Sequence, residues 1–565
     1  MTGATPMPDP QRLARNAAIY YAADGYDPAA KGLNGRRMAG ESFLRGFLRH
    51  ADIDEAVFLS HNLSEAENLR AMADRLRPGL PLRMQHLRDP ARIAPLGTVS
   101  YPSPNYAAEL WRRAPHGTAA WAMCGVTHTI STKAVMEGWL ALRTAPLAAW
   151  DAVICTSNAV HAAVTCQLDL IDAHLAQQFG GTVPPRPLLP VIPLGVHCDD
   201  FAPDPAARAA LRAEIGADDQ DVVFVTVARL SPHEKFDPIP VFAAFAEAQR
   251  ALPDRRLHLL FCGVFSEAYS RRVFEQGAAR VMPGVGFHLR DGADRAQRQA
   301  VLAAGDVFLF PIDNIQETFG LAPVEGMAAG LPVLCSDWDG LRDTVTPEVG
   351  FRIPSHTLPA RHMVPEALRH QGGSDSYVQY CAQVSALTEL DFGALVARIL
   401  DLARDPALRR RMGRAAAARA RALYDWAAVI PQMQALWAEQ TARRLAGAGQ
   451  ARRYRPDHLP VAPSPGALFA AWPSAQIDPG QHRFALRARP EGALSLADLL
   501  AVRDYQGLKR IFADPAQVAA VLQALQQAGP PGATRDALAQ AAGMRPVLAD
   551  RVLIWLMKYG LARRL

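Results

Sequence analysis

Short continuous apolar runs alternate with longer stretches of helical spacing over the first three fifths of the chain. Residues 16–23 (NAAIYYAA), 56–59, 81–84, 120–125 and 152–156 form one set of such runs. Residues 222–227 (VVFVTV), 258–262, 285–289, 306–311 (DVFLFP) and 333–335 form a second. Runs without polar alternation suit strands covered on both faces, and β-branched residues favour them. Most are separated by segments such as 41–50 and 298–304, whose apolar residues recur at helical spacing. Strand and helix in alternation predict α/β sheets of mostly parallel strands. The two sets meet at 191–197 (VIPLGVH), where Pro193 and Gly195 predict a rigid turn and a hinge at about residue 198.

Within the second set, residues 316–333 read QETFGLAPVEGMAAGLPV. The order is strand, acidic loop, short helix, Gly-Pro stop and strand, which is one α/β unit. Ligands of such sheets sit beyond the carboxyl ends of the strands, where the loop bearing Glu317 lies. A helix starting near Phe319 would aim free N–H groups at the same crevice, a seat for phosphate. Glu317 and Glu325 are eight positions apart, a helical rise of about 12 Å. A glycosidase acid and base stand roughly 5 to 9.5 Å apart across one bond, so the pair fits two distant hydroxyl groups of a long ligand better. The alternative is two unrelated acids at a helix start, where the dipole favours them.

This segment resembles the signature of the retaining GT-B glycosyltransferases, the large family that includes sucrose synthase and many bacterial sugar transferases. The usual form is E-x-F-G-L-x-x-x-E-A-M-A-x-G-x-P-V, and here Gly326 stands where Ala is usual, a small-for-small change. The resemblance implies two Rossmann-like domains closing over a nucleoside-diphosphate sugar. It implies that Glu325 accepts hydrogen bonds from the ribose hydroxyls and that Glu317 holds hydroxyls of the donor sugar. Arg229, Lys235 and the helix start at Phe319, Gly320 and Leu321 would hold the diphosphate. Two cations there neutralise charge that grows on the leaving group. The departing phosphate oxygen is then the base, and neither a metal nor an organic cofactor is expected. His128, after the run 120–125, would stand near the donor sugar; a structural histidine at a strand end is the alternative.

Several positions depart from the family pattern. Residues 24–40 read as a loop with Gly25, Gly32, Gly35 and Gly40 before a helix at 41–50, and Ala39-Gly40 stands where a Gly-Gly pair opens that helix in the family. Such glycines either turn the chain or let its backbone approach a ligand. Arg36 and Arg37 fall in an insert there and are read as a solvated loop, with an anionic acceptor as the alternative. His197 replaces the usual Asp. Phe236-Asp237 follows Lys235 where Gly is common. Of the later Gly-Gly and acid, only Gly340 is kept in 336–343, a segment expected to border the base or donor pocket. Ser157 and Asn158 read as a turn and helix cap. Residues 361–387 are an insertion too irregular to place.

Length and charge narrow the picture further. At 565 residues the chain exceeds one core, and three domains are expected. A net charge of +5 over that length does not argue for nucleic acid. Seven scattered cysteines without CxxC fit a reducing cytoplasm and no zinc site. No signal peptide and no apolar run of spanning length is read, so the expected location is cytoplasmic, peripheral at the inner membrane face if the acceptor is a lipid. The run Arg409-Arg410-Arg411 is read as a solvated helix face, with an anionic membrane as the alternative.

The expected division is 1–198 as an acceptor domain, 199–445 as a nucleotide-sugar domain with helices crossing back onto the first, 446–480 as a Gly-, Pro- and Arg-rich linker, and 481–565 as a helical module. Helices at 516–525 and 545–559, a short helix capped by Thr534 and a final strand at 561–565 resemble a winged-helix fold. The helix at 545–559 carries mostly apolar side chains, which favours docking or dimerisation over DNA reading. The function so implied is a retaining, metal-independent hexosyltransferase of glycan or surface-polysaccharide synthesis, acting on a glycan, lipid-linked or small-molecule acceptor. The alternative is a non-catalytic sugar-nucleotide-binding or scaffold protein whose C-terminal module meets a partner or DNA.

Overall fold

The structure is a computed structural model that describes residues 10–22, 26, 35–87, 89–503 and 514–565. It divides into two compact units, Met1–Arg455 and Pro456–Leu565.

The larger unit holds two six-stranded sheets. The first contains β1 (Ala18–Tyr20), β2 (Ala56–Ser60), β3 (Leu82–His86), β4 (Thr98–Ser100), β5 (Ala122–Val126) and β6 (Ala152–Ile154), in the order β3-β2-β1-β4-β5-β6. The second contains β7 (Val222–Val227), β8 (Leu257–Gly263), β9 (Gly286–Asp291), β10 (Val307–Phe310), β11 (Val333–Ser336) and β12 (Gly350–Ile353), in the order β12-β11-β10-β7-β8-β9. Neighbouring strands pair in parallel in both. These are two Rossmann-like domains, and their strand order reverses beside β1 and beside β7, the switch points at which such sheets bind ligands.

The second sheet is the drier. Every residue of β7, β8, β10 and β11 is buried, as continuous apolar runs demand. Sequence patterning missed β4 and β12. The former is three residues long with Thr98 and Ser100 at its ends, and the latter is a half-buried edge strand. Helix Trp426–Ala446 returns to the first domain, where Trp426, Ile430 and Trp437 share a core with Phe47 and Phe58.

The segment that was too irregular to place is an inserted hairpin of two helices, Val364–Gly372 and Tyr377–Ala386. Its stem is an antiparallel ribbon of Ser355–Thr357 against Thr388–Leu390. Among the described residues no helix is long and apolar enough to cross a membrane, and all seven cysteines are unpaired.

The smaller unit contains a three-stranded antiparallel sheet with Arg483–Leu486 between Ala533–Thr534 and Ala562–Arg564. Helices Pro515–Ala528, Arg535–Ala541 and Pro546–Lys558 cover it around Phe484, Val521, Leu538 and Leu553. Thr534 caps the short helix by accepting from the Ala537 N–H at 3.4 Å.

Candidate functional site

The site begins where β7 and β10 end. Past β7 the chain turns through Arg229 and Lys235, and past β10 it loops through Gln316 and Glu317. The Lys235 ammonium is ion-paired with Glu317 Oε2 and lies 5.0 Å from the centre of the Phe310 ring. The Arg229 guanidinium donates to the Gln316 side chain and stands 3.5 Å from Glu234. The second oxygen of Glu317 accepts the N–H groups of Gly320 at 3.1 Å and Thr318 at 3.4 Å. Burial pushes the Glu317 carboxyl up, but the charge and hydrogen bond of Lys235, with those two N–H groups, outweigh it and hold the group below its ordinary range.

The helix expected near Phe319 begins two residues later, as Leu321–Ala328. Gly320 has φ 85°, outside the helical region, and its N–H is already given to Glu317. Phe319 is buried, its ring 5.9 Å from that of Tyr424. Its backbone, with Gly320 and Leu321, lines the cavity that also holds Arg229, Lys235 and Glu317. From the first domain, His128 and Leu194 line the same cavity. His128 follows β5 as expected.

Gly40 is not in a loop. It lies inside helix Gly35–His50, in a register that places it with His128, Phe43, Tyr101 and Trp426 around an adjoining apolar cavity. The expected boundary at Glu41 follows the glycines too literally: a helical glycine costs only about 1 kcal/mol, and Leu44, Phe47 and Leu48 of this helix are fully packed. Residues 31–34 and the side chains of Arg36 and Arg37 lie outside the described residues.

Glu325 lines a different cavity, with Arg45, His197, Asp200, Arg295 and Arg298. Burial raises its carboxyl to about 7, against the opposing charge of Arg298. Asp200 is held by Arg45 at 2.9 and 3.2 Å and by Arg295 at 3.0 Å. His197, where Asp is usual, is pushed by burial down to about 4. It is therefore neutral, and its Nε2 donates to the Ser42 carbonyl at 3.1 Å. None of Arg45, Asp200, Arg295 and Arg298 was singled out by sequence reading; they belong to no shared motif and meet only through the fold.

Residues 337–343, expected to border the base or donor pocket, lie on the Glu317 side and not on the Glu325 side. Asp337, Trp338, Asp339 and Arg342 line a third cavity that shares Glu317 and Thr318 with the first. Three hydrogen bonds join the domains here. Ser157 accepts from the Val160 N–H at 3.2 Å, the expected cap, and donates to the Thr318 carbonyl at 2.9 Å. Asn158 donates to Asp343 from its backbone at 2.7 Å and its side chain at 3.1 Å.

Residues 207–360 match the family model described as Glycosyl transferases group 1. The chain is 29% identical over 180 residues to the GDP-mannose-dependent alpha-(1-6)-phosphatidylinositol monomannoside mannosyltransferase of Mycolicibacterium smegmatis, a match covering 31% of this chain and 45% of that protein. It is 30% identical over 211 residues to the D-inositol 3-phosphate glycosyltransferase of Segniliparus rotundus, covering 35% of this chain and 44% of that protein. The chain thus spans less than half the length of these curated relatives. Similar solved structures include Anabaena HepE in complex with UDP, with TM-score 0.46, 16% identity and coverage of 76% and 100% of the two chains. Sucrose-phosphate synthase from Thermosynechococcus elongatus gives TM-score 0.45, 18% identity and coverage of 76% and 99%. The family match and the relatives bear out the resemblance carried by the double-Glu segment.

Proposed function

We propose that this chain is a retaining glycosyltransferase that moves a sugar from a nucleoside-diphosphate sugar to an acceptor hydroxyl. The observation that supports it most is one cavity in which Arg229, Lys235, Glu317 and the start of helix Leu321–Ala328 converge from the ends of two adjacent strands. Cations and helical N–H groups suit a diphosphate, and a carboxylate beside them suits the hydroxyls of the attached sugar.

In the mechanism, donor phosphate competes with Glu317 for the Lys235 ammonium. The freed carboxylate oxygen then accepts a donor-sugar hydroxyl. The bond between the anomeric carbon and the phosphate oxygen breaks, with Arg229 and Lys235 neutralising the charge that collects on the diphosphate. The acceptor oxygen bonds the same face of that carbon, and its proton passes to the departing phosphate oxygen. His128 contacts the sugar from the first domain, and Gly40 contacts the substrate beside it. Glu325, in its own cavity, accepts from the ribose hydroxyls when ionised.

The acceptor domain on this reading is 1–198 and the donor domain 199–445, with 446–480 a linker. Residues 481–565 serve as a winged-helix-like docking or dimerising module; Val547 and Ile554 on helix Pro546–Lys558 are exposed. The setting is glycan or surface-polysaccharide synthesis in the cytoplasm. A thermal-shift screen with UDP-, GDP- and ADP-sugars tests donor binding, GDP-mannose first because a relative is named for it. Transfer or hydrolysis of the donor that hits is then followed in Arg229→Ala, Lys235→Ala and Glu317→Ala. Activity equal to wild type in all three overturns the assignment.

A further inference from the structure

The third cavity holds a buried group that the proposed mechanism does not use. It lies between helices Lys133–Thr144 and Asn158–Phe179 of the first domain and the segment after β11. Trp139 and Gln167 line one side, Trp338, Asp339 and Arg342 the other, and Tyr380 of the inserted hairpin the edge.

Asp339 is the one described non-glycine residue with positive φ, at 39°. Such backbone is strained and persists only where the surroundings enforce it. Its Oδ1 accepts from the Leu341 N–H at 3.2 Å, while its Oδ2 is enclosed without a hydrogen-bond partner. Burial and the negative charge of Glu317 push this carboxyl well up, toward the form that can donate as well as accept. The aromatic rings are fixed in place. Trp338 donates from Nε1 to the Asn314 carbonyl at 3.1 Å, and Tyr380 stacks on His370 at 4.5 Å.

The cavity is unsuited to a second diphosphate, because its cation, Arg342, faces Asp337 at 3.7 Å. Trp338 and Tyr380 beside acids, an amide and hydroxyls suit sugar rings, which are apolar on one face and polar at the rim. A cavity volume of about 660 Å³ leaves room for more than one ring. Resting on the transferase reading, we propose that this cavity binds the acceptor as an oligosaccharide, with Asp339 hydrogen-bonded to a hydroxyl of the ring beside Glu317.

An array of immobilised oligosaccharides tests this with the full chain, and a nucleotide-sugar thermal shift runs beside it. The wild type is expected to capture a defined set of glycans. Asp339→Gly suits the positive φ and removes the carboxyl, so capture should fall about tenfold, the equivalent of one lost hydrogen bond. Tyr380→Ala should weaken capture in the same way, and both should leave the nucleotide-sugar shift unchanged. If Asp339→Gly does not fold, the exposed Arg342→Ala and Tyr380→Ala decide the matter. A wild type that captures no glycan, or variants that capture as well as it does, overturns the proposal. Failure of the transferase reading is distinguishable, since it removes the nucleotide-sugar shift and leaves the array result to stand by itself.

Discussion

Tyr377 Oη and Ser131 Oγ share a hydrogen bond of 2.8 Å, joining the inserted hairpin to the loop that follows β5. Ser131 also donates to the Ile315 carbonyl at 3.3 Å, and Lys133 Nζ donates to the Gln371 carbonyl at 2.9 Å. The hairpin belongs to the second half of the chain by sequence, so these bonds span the cleft and reach the loop that carries Glu317. Tyr377→Phe removes one neutral bond worth about 0.5–1.5 kcal/mol. The expected result is a donor KM raised roughly two- to tenfold, with kcat little changed. A KM equal to wild type would mean that the contact does not contribute to closing the cleft.

The Lys235–Glu317 pair predicts a kinetic and a pH effect together. Removing a preorganised charge aimed at the leaving group typically costs about 10²–10³ in kcat, which is the loss expected for Lys235→Ala in transfer assays. Glu317 is held below its ordinary range by Lys235 and two backbone N–H groups. A carboxylate so depressed stabilises the fold above its unfolded value near 4.5, and that stabilisation fades as pH falls through the lower folded value. Melting curves should therefore show Lys235→Ala losing stability relative to wild type at pH 7, with the gap closing toward pH 3. A gap independent of pH would deny the pair this role.

Glu325 has the opposite sign. Its carboxyl is raised to about 7 by burial, so the folded state keeps a proton that the unfolded chain releases above pH 4.5. Its contribution is greatest below the unfolded value and is lost as pH rises through 7. Glu325→Gln should melt higher than wild type at pH 8 and about level with it at pH 4. Nucleotide affinity of the wild type should rise through the same window, because only the ionised form is a pure acceptor for ribose hydroxyls. A Gln variant whose melting offset is the same at both pH values would contradict the assignment.

How far the sequence reveals these features depends on how local they are. Both sheets are legible because their central strands are uninterrupted apolar runs, and β4 and β12 escape because each is short and mixed in polarity. Arg229, Lys235, Glu317 and His128 are legible through strand ends and the signature around them. The inserted hairpin leaves a local trace in the sequence: Ser376 and Gln379 form a capping box at the start of its second helix. Asp339 and the cluster around Glu325 are not legible. Arg45 and Asp200 lie 155 positions apart, and neither residue nor its neighbours signal the other. The strain at Asp339 is a property of the fold around it, since Asp at an ordinary turn would read the same.

Gly326 looks like a conservative replacement of the usual alanine, and the packing makes it a requirement of this chain. A Cβ at this position would lie 2.6 Å from Cγ and Cδ2 of Phe308 and 2.9 Å from its Cβ. Phe308 is fully buried in β10, hydrogen-bonded in register between β11 and β7, so its ring has nowhere to retreat. Alanine would gain about 1 kcal/mol in helix propensity, but overpacking a tight core costs typically 1–3 kcal/mol. Gly326→Ala is expected to destabilise the chain by up to about 2 kcal/mol, read as a lower urea midpoint. It should also lower nucleotide affinity, because the neighbouring Glu325 moves with the helix. Phe308→Leu alone leaves a void and is destabilising as well. Combined with Gly326→Ala, it should recover part of the loss, with a coupling of about 0.5–3 kcal/mol between the two sites. Strict additivity in the double-mutant cycle would show that the glycine and the phenylalanine are not partners.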